Sequence, residues 1–321
     1  MHLRQTPLKS STMHPSDAGL LNATTMPDQG LPETGLSETG LSGTGLNGTG
    51  LSGTGLSGTG RSGTGRSGTG LSGTGLNDAA DFERALRPLG SPERAASERA
   101  YLKSDLEFAG VSVPAMRAAV ASWCKERAGL RRDQLTAMVG ALWLSPLYES
   151  RQSAVILLER NAKLLTADDV PLIEHMLRTS RTWALVDGLA TNVAGDLAER
   201  FTVVAATLDR WADDPDFWMR RSAMLALLRP LRRGEGDFDR FARYADAMLE
   251  EKEFFIRKAI GWVLREVAKR RPELVASWLG PRVHRASGVT VREAIKPLPP
   301  QVRDMMLAGY LAKRPVSGDD S

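Results

Sequence analysis

From Ala79 onward, apolar residues recur at three- and four-residue spacing in one segment after another, and no segment sustains the period-two alternation of a strand. Segments near 92–104, 113–128, 132–144, 147–164, 168–179, 183–199, 201–212, 216–232, 238–251, 254–270, 272–279 and 290–310 each carry such a stripe. The breakers between them, Ser145-Pro146, Asp214-Pro215, Gly234-Glu235-Gly236 and Arg271-Pro272, are short, as between antiparallel neighbours. The helices fall into pairs, 132–164, 168–199, 201–232 and 238–270, with a period of about 35 to 40 residues. One such pair cannot bury its apolar face alone, whereas stacked pairs share a continuous core. The expected fold is therefore all-α: a HEAT-like helical-repeat solenoid with a curved, concave face wide enough for duplex DNA. A compact all-α bundle is the alternative that spacing leaves open.

The first quarter of the chain has no such pattern. From Leu31 to Gly75 it runs through nine pentapeptides on the theme Leu-Ser-Gly-Thr-Gly, with Arg61 and Arg66 in place of leucine and Asn47 in place of serine. Glycine at nearly every second or third position makes ordering costly, and one leucine in five buries too little to offset it. Residues 1–78 are expected to be a disordered low-complexity tail, as a tether, a weak interaction segment whose two arginines could touch phosphate, or an expanded repeat without function, and residues 79–321 the folded domain. The tail holds four Lys/Arg against five Asp/Glu, so the domain carries the whole basic excess, 38 against 33. That excess is compatible with a nucleic-acid face without requiring one.

A single cysteine, Cys124, excludes an intrachain disulfide and a cysteine-rich metal site, and the four histidines stand in no ligand spacing. No metal or cofactor is expected. No run reaches the roughly 18 apolar residues of a membrane span, and the N-terminus lacks a signal-peptide core, so a cytoplasmic protein without membrane contact is expected.

Three motifs carry possible chemistry. In Glu253-Phe-Phe-Ile-Arg-Lys-Ala-Ile-Gly-Trp-Val-Leu-Arg-Glu266, helical spacing puts Lys258, Trp262, Arg265 and Lys269 on roughly one face. That face can hold phosphates and press an indole on a sugar, or Trp262 is a core tryptophan beside solvated cations. Trp183 and Asp187, four apart, share a helical face. A carboxylate beside an indole suits a reaction through a cationic sugar, though it also suits an ion pair beside a packed aromatic. Arg221 shares its stripe with Phe217, Met224 and Leu228, so its guanidinium pairs with a carboxylate such as Asp187, forks to a phosphate, or does each in turn in the free and bound protein. Arg220 points elsewhere, as an ordinary surface cation. These residues come from similar places in successive helical pairs, which a solenoid aligns on one face.

On these residues the chain resembles the DNA alkylation repair family, the AlkD-like alkylpurine DNA glycosylases with HEAT-like repeats. The resemblance runs from Tyr101-Leu-Lys103, Phe108-Ala-Gly-Val111 and Pro114-Ala-Met-Arg117 through Leu142-Trp143 and Pro146 to Lys252–Glu266 and Arg292-Glu-Ala-Ile-Lys296. It implies that Asp187 is the catalytic carboxylate, Trp183 and Trp262 aromatic walls around the lesion nucleotide, and Arg221 the active-site arginine. Tyr101 and Arg265 are implied DNA contacts, beside the cations Lys258 and Lys269. The implied reaction is hydrolysis of the N-glycosidic bond of N3- or N7-alkylated purines in double-stranded DNA, by a monomer needing no cofactor and forming no lysine adduct. The chain departs from the family pattern at Ala184, where an aromatic or acidic neighbour of the first tryptophan is usual. A non-catalytic helical-repeat module that binds DNA or protein is the competing expectation. It has less use for an anion such as Asp187 on a phosphate-facing surface.

Overall fold

The computed structural model describes residues 73–312, and within them the chain is all-α. The helices are α1 (Gly73–Leu86), α2 (Pro92–Leu102), α3 (Val113–Glu126), α4 (Arg132–Trp143), α5 (Tyr148–Arg160), α6 (Val170–Arg178), α7 (Trp183–Gly188) and α8 (Gly195–Arg200). They continue with α9 (Val204–Ala212), α10 (Phe217–Ala226), α11 (Leu228–Arg232), α12 (Phe238–Ala247), α13 (Phe254–Ala268), α14 (Pro272–Leu279), α15 (Gly288–Ala294) and α16 (Pro300–Leu311). Among the described residues the only bridge pairing joins Glu107 to Leu147. The helical-repeat expectation is borne out, with the repeating pair visible as α2/α3, α4/α5, α6/α7, α9/α10, α12/α13 and α14/α15.

Most of the expected tail, residues 1–72, lies outside the described residues. Helix α1 begins at Gly73, inside the last pentapeptide and six residues ahead of Ala79. It buries Phe82 and Leu86 against the first repeats, packing on α4. The apolar spacing of this short stretch did not mark it as a helix.

Starts of the second helices follow local chemistry. Ser112, Asp216, Glu253 and Ser287 each accept a hydrogen bond from a backbone N–H in the first turn of α3, α10, α13 and α15. An arginine at the fourth position ties three second helices, α5, α10 and α13, to the loop before them. Arg151 Nε donates to Ser145 O at 2.8 Å, Arg220 Nη1 to Asp214 O at 2.7 Å and Arg257 Nε to Glu251 O at 2.7 Å. Arg220 also forks onto Glu251 at 3.0 and 2.8 Å, so it is a clamp between repeats and not the ordinary surface cation expected. Its carboxylate partner is 31 residues away, beyond the reach of any helical-spacing argument.

The segment expected as one helix over 183–199 is divided. After α7 the chain widens into a π-helix, Leu189–Ala194, before α8 resumes α geometry. Gly188 and Gly195 flank it at close approaches: a Cβ at Gly188 meets Val155 Cγ1 at 3.0 Å, and one at Gly195 meets the Ala226 carbonyl oxygen at 2.9 Å. The segment is wedged between α5 and α10, tightly against a side chain at Gly188 and against backbone at Gly195. Gly195→Val is expected to cost about 1–3 kcal/mol, because a backbone carbonyl cannot turn aside as a side chain can. Denaturant unfolding monitored by circular dichroism measures it.

Candidate functional site

The second helices place one residue each in a common register. Their fifth positions are Arg117, Gln152, Asp187, Arg221, Lys258 and Arg292, in α3, α5, α7, α10, α13 and α15. Four cations and an amide thus accompany a single carboxylate, Asp187.

Asp187 and Arg221, from adjacent repeats, meet in a two-pronged pair. Arg221 Nε donates to Oδ1 and Nη2 to Oδ2, both at 2.8 Å, while Nη1 donates to the Phe255 carbonyl at 2.5 Å. Asp187 is 3% exposed and Arg221 1%. The guanidinium is therefore bound from α7 on one side and α13 on the other, with the Phe255 ring 5.8 Å away. Of the two roles open to Arg221 in sequence, the structure shows the carboxylate partner. The fork leaves each Asp187 oxygen a further lone pair. On the backbone side, Thr191 of the π-helix donates its hydroxyl to Asp187 O at 2.5 Å. The widened turn therefore begins right behind the carboxylate, a position where such turns often serve a site.

Trp183 opens α7, and the loop that launches it is held from the preceding repeat. Arg151 Nη1 donates to Thr179 O at 2.8 Å and Trp143 Nε1 to Thr179 Oγ1 at 2.8 Å. Arg181 then takes a left-handed conformation, φ 60°, and ion-pairs with Asp105 at 3.0 Å. Lys103, at the end of α2, is also left-handed, φ 48°. Two residues before the first of these bends in the chain and two after the second, Tyr101 and Trp183 meet edge to face, ring centroids 5.6 Å apart. Tyr101 is 59% exposed, so this aromatic corner faces solvent. The structure thus brings Tyr101 to Trp183 and Arg221 to Asp187.

Trp262, at 8% exposure, is part of the apolar core of α13. Its neighbours in register are tied down. Lys258 Nζ donates to Glu293 at 3.1 Å, Arg265 bonds both Glu293 and Glu266, and Lys269 Nζ donates to Glu266 at 2.8 Å. Burial pushes the Lys258 amine below the usual lysine value, and the charges of Lys296, Arg265 and Arg221 add to this. Burial opposes the ionised Glu266, but the Lys269 hydrogen bond and the charges of Arg232, Lys269 and Arg265 outweigh it and hold the carboxyl below its usual range.

Apart from Phe217's place in the Arg221 stripe, several residues at this site escaped the sequence reading. Phe217 and Trp218 open α10, Phe254 and Phe255 open α13, and the four rings form one connected cluster. Centroid distances are 4.4 Å for Phe217 and Trp218, 4.8 Å for Trp218 and Phe255, and 5.5 Å for Phe254 and Phe255. Phe254 is half exposed. The signal was the paired aromatic at the first two positions of consecutive second helices. Glu266 and Glu293 were missed because a glutamate beside a cation in sequence looks solvated, yet both are buried.

The model of the family described as DNA alkylation repair enzyme matches residues 82–298. Among solved structures, a protein of Enterococcus faecalis described as a predicted DNA alkylation repair enzyme is 25% identical, with a TM-score of 0.59 over 64% of this chain and 95% of its own. AlkD2 from Streptococcus mutans shares the fold at 15% identity, with a TM-score of 0.51 over 70% of this chain and 99% of its own. No curated protein matches this chain significantly. The matched span contains every helix from α2 to α15 and both members of the buried pair, and the chain belongs to the DNA alkylation repair enzyme family.

Proposed function

We propose that this protein is a monofunctional DNA glycosylase that hydrolyses the N-glycosidic bond of N3- and N7-alkylated purines in duplex DNA, leaving an abasic site. The observation that carries this reading is Asp187: one buried carboxylate in a row whose other charged members are cations. Asp187 takes a single cation, Arg221, and keeps a further lone pair on each oxygen, so its charge is available to a positive centre and is not spent on gathering several phosphate-binding cations.

The chemistry asks little of the protein. Alkylation at N3 or N7 makes the base cationic, so it departs with the electron pair of its bond to C1′ as a neutral purine. Positive charge then develops on the sugar. Asp187, fixed in position by Arg221, stabilises that charge, and a water adds to C1′ and loses its proton. The exposed Tyr101–Trp183 corner supplies a wall for the sugar, and π-electron faces favour a cationic partner. Cofactor and metal have no step to perform. We assign residues 79–321 to this activity, working as a monomer on nucleoid DNA in the cytoplasm.

The test is release of N7-methylguanine and N3-methyladenine from alkylated duplex DNA by the purified full chain. Base release is expected above the spontaneous rate. Binding of that DNA without release would favour the non-catalytic module instead.

A further inference from the structure

Beyond the Asp187–Arg221 pair, a second buried carboxylate gathers the cations of the last two repeats. Glu293, in α15, is 4% exposed and accepts from three side chains: Lys258 at 3.1 Å, Lys296 at 3.1 Å, and Arg265. Lys258 and Arg265 come from α13, so one carboxylate ties two helices. Arg265 also reaches Glu266, whose carboxylate takes Lys269 at 2.8 Å and Arg232 at 3.1 Å.

Gly261 makes the placement possible. A Cβ there meets Glu293 Cβ at 2.8 Å and Thr290 O at 3.1 Å, so the absent side chain is the space through which α15 brings its glutamate against α13. Burying a carboxylate costs several kcal/mol unless it is fully paired. Together the five cations Lys258, Arg265, Lys296, Lys269 and Arg232 on the two carboxylates Glu293 and Glu266 leave a local excess of three positive charges, held in fixed directions. Lys258 and Arg265 remain partly exposed and Lys296 half exposed, so the excess charge reaches solvent. A site that only balanced charge needs one cation per carboxylate.

We infer that Glu293 is a positioning residue that fans Lys258, Arg265 and Lys296 into a preformed seat for a DNA phosphodiester. The occupant is an anion with several oxygens, since each ammonium keeps N–H donors beyond its one bond to Glu293 and the Arg265 guanidinium keeps donors beyond its bonds to Glu293 and Glu266. The seat lies beside the reaction site: Lys258 shares the fifth-position register with Arg221 and feels its charge. A phosphate held there fixes the strand relative to Asp187, and the inference rests on the DNA reading above. Lysines and an arginine free to wander would pay rotamer entropy at each encounter; anchored ones do not.

The experiment is binding of undamaged duplex by the full chain across a salt series, with melting temperature recorded. Glu293→Gln keeps the side chain's volume and raises the net charge by one, so an unorganised basic surface would bind tighter. We expect the opposite: affinity about tenfold weaker, with the log–log salt slope shallower by about two, as oriented contacts are lost. Unchanged or tighter binding with an unchanged or steeper slope would overturn the proposal. Because Glu293→Gln disturbs a buried group, Lys296→Ala serves as the second variant. It should reduce the slope by about one with an unaltered melting temperature, and an unchanged slope would also overturn it. Undamaged DNA separates this inference from the catalytic one. Base release by wild type with unmoved slopes sinks the seat alone, shifted slopes without base release sink the glycosylase reading alone, and a wild type that binds no duplex sinks both.

Discussion

Asp187→Asn is expected to slow base release from alkylated duplex DNA by at least about 100-fold, while duplex binding is kept or tightened. Asparagine preserves the shape of the side chain between α7 and α10 and removes the charge. It can still accept from Arg221 through its carbonyl, but its amide N–H₂ opposes a guanidinium donor where Oδ1 and Oδ2 now take one bond each at 2.8 Å. The variant thus loses the anion that a developing oxocarbenium sugar needs. It also removes the one negative charge in a row holding Arg117, Arg221, Lys258 and Arg292, which lowers repulsion toward phosphates. Single-turnover base release and fluorescence anisotropy on the same alkylated duplex read the two effects separately. Equal release rates for variant and wild type would assign the chemistry to another residue.

The divergence of rate from affinity distinguishes this from general damage. A variant that merely loosened α7 would lose both, because Trp183 and its contact with Tyr101 stand on the same short helix.

How much of this was legible in sequence depended on the reach of each interaction. The Trp183–Asp187 register is an i, i+4 relation inside one helix, and helical periodicity is enough to read it. Arg221 was separable from Arg220 by its apolar stripe, since Phe217, Met224 and Leu228 predict a packed stem. The repeat period placed Asp187 and Arg221 at equivalent points of successive pairs, and the structure joins them directly. The π-helix was not legible: it adds a fraction of a residue per turn, and Leu189 and Val193 fit an ordinary helix equally well. Glu293 and Glu266 were not legible either. Glu293 meets Lys258 across 35 residues through a gap left by Gly261, and nothing in local spacing announces that gap. Trp262 stood between two readings in sequence; at 8% exposure it belongs to the core of α13.

Arg221→Met is expected to destabilise the protein by about 3–5 kcal/mol, because it leaves Asp187 as a buried carboxylate without its partner. Methionine fills the stem's place among Phe217, Met224 and Leu228, so lost packing contributes little and the cost is electrostatic. It follows that removing both charges should recover what removing one destroys. In Asp187→Leu/Arg221→Met the site becomes apolar, and replacing a buried ion pair by hydrophobic side chains of similar volume is commonly neutral or stabilising. The double variant is therefore expected to unfold within about 1 kcal/mol of wild type in denaturant titration, and to release no alkylated base. That combination, stability recovered and activity absent, means that the pair exists for the reaction and that the fold does not depend on it. If the double variant is as unstable as Arg221→Met alone, the pair is a strut between α7, α10 and α13, and the Phe255 carbonyl that Arg221 holds becomes the group whose loss has to be explained.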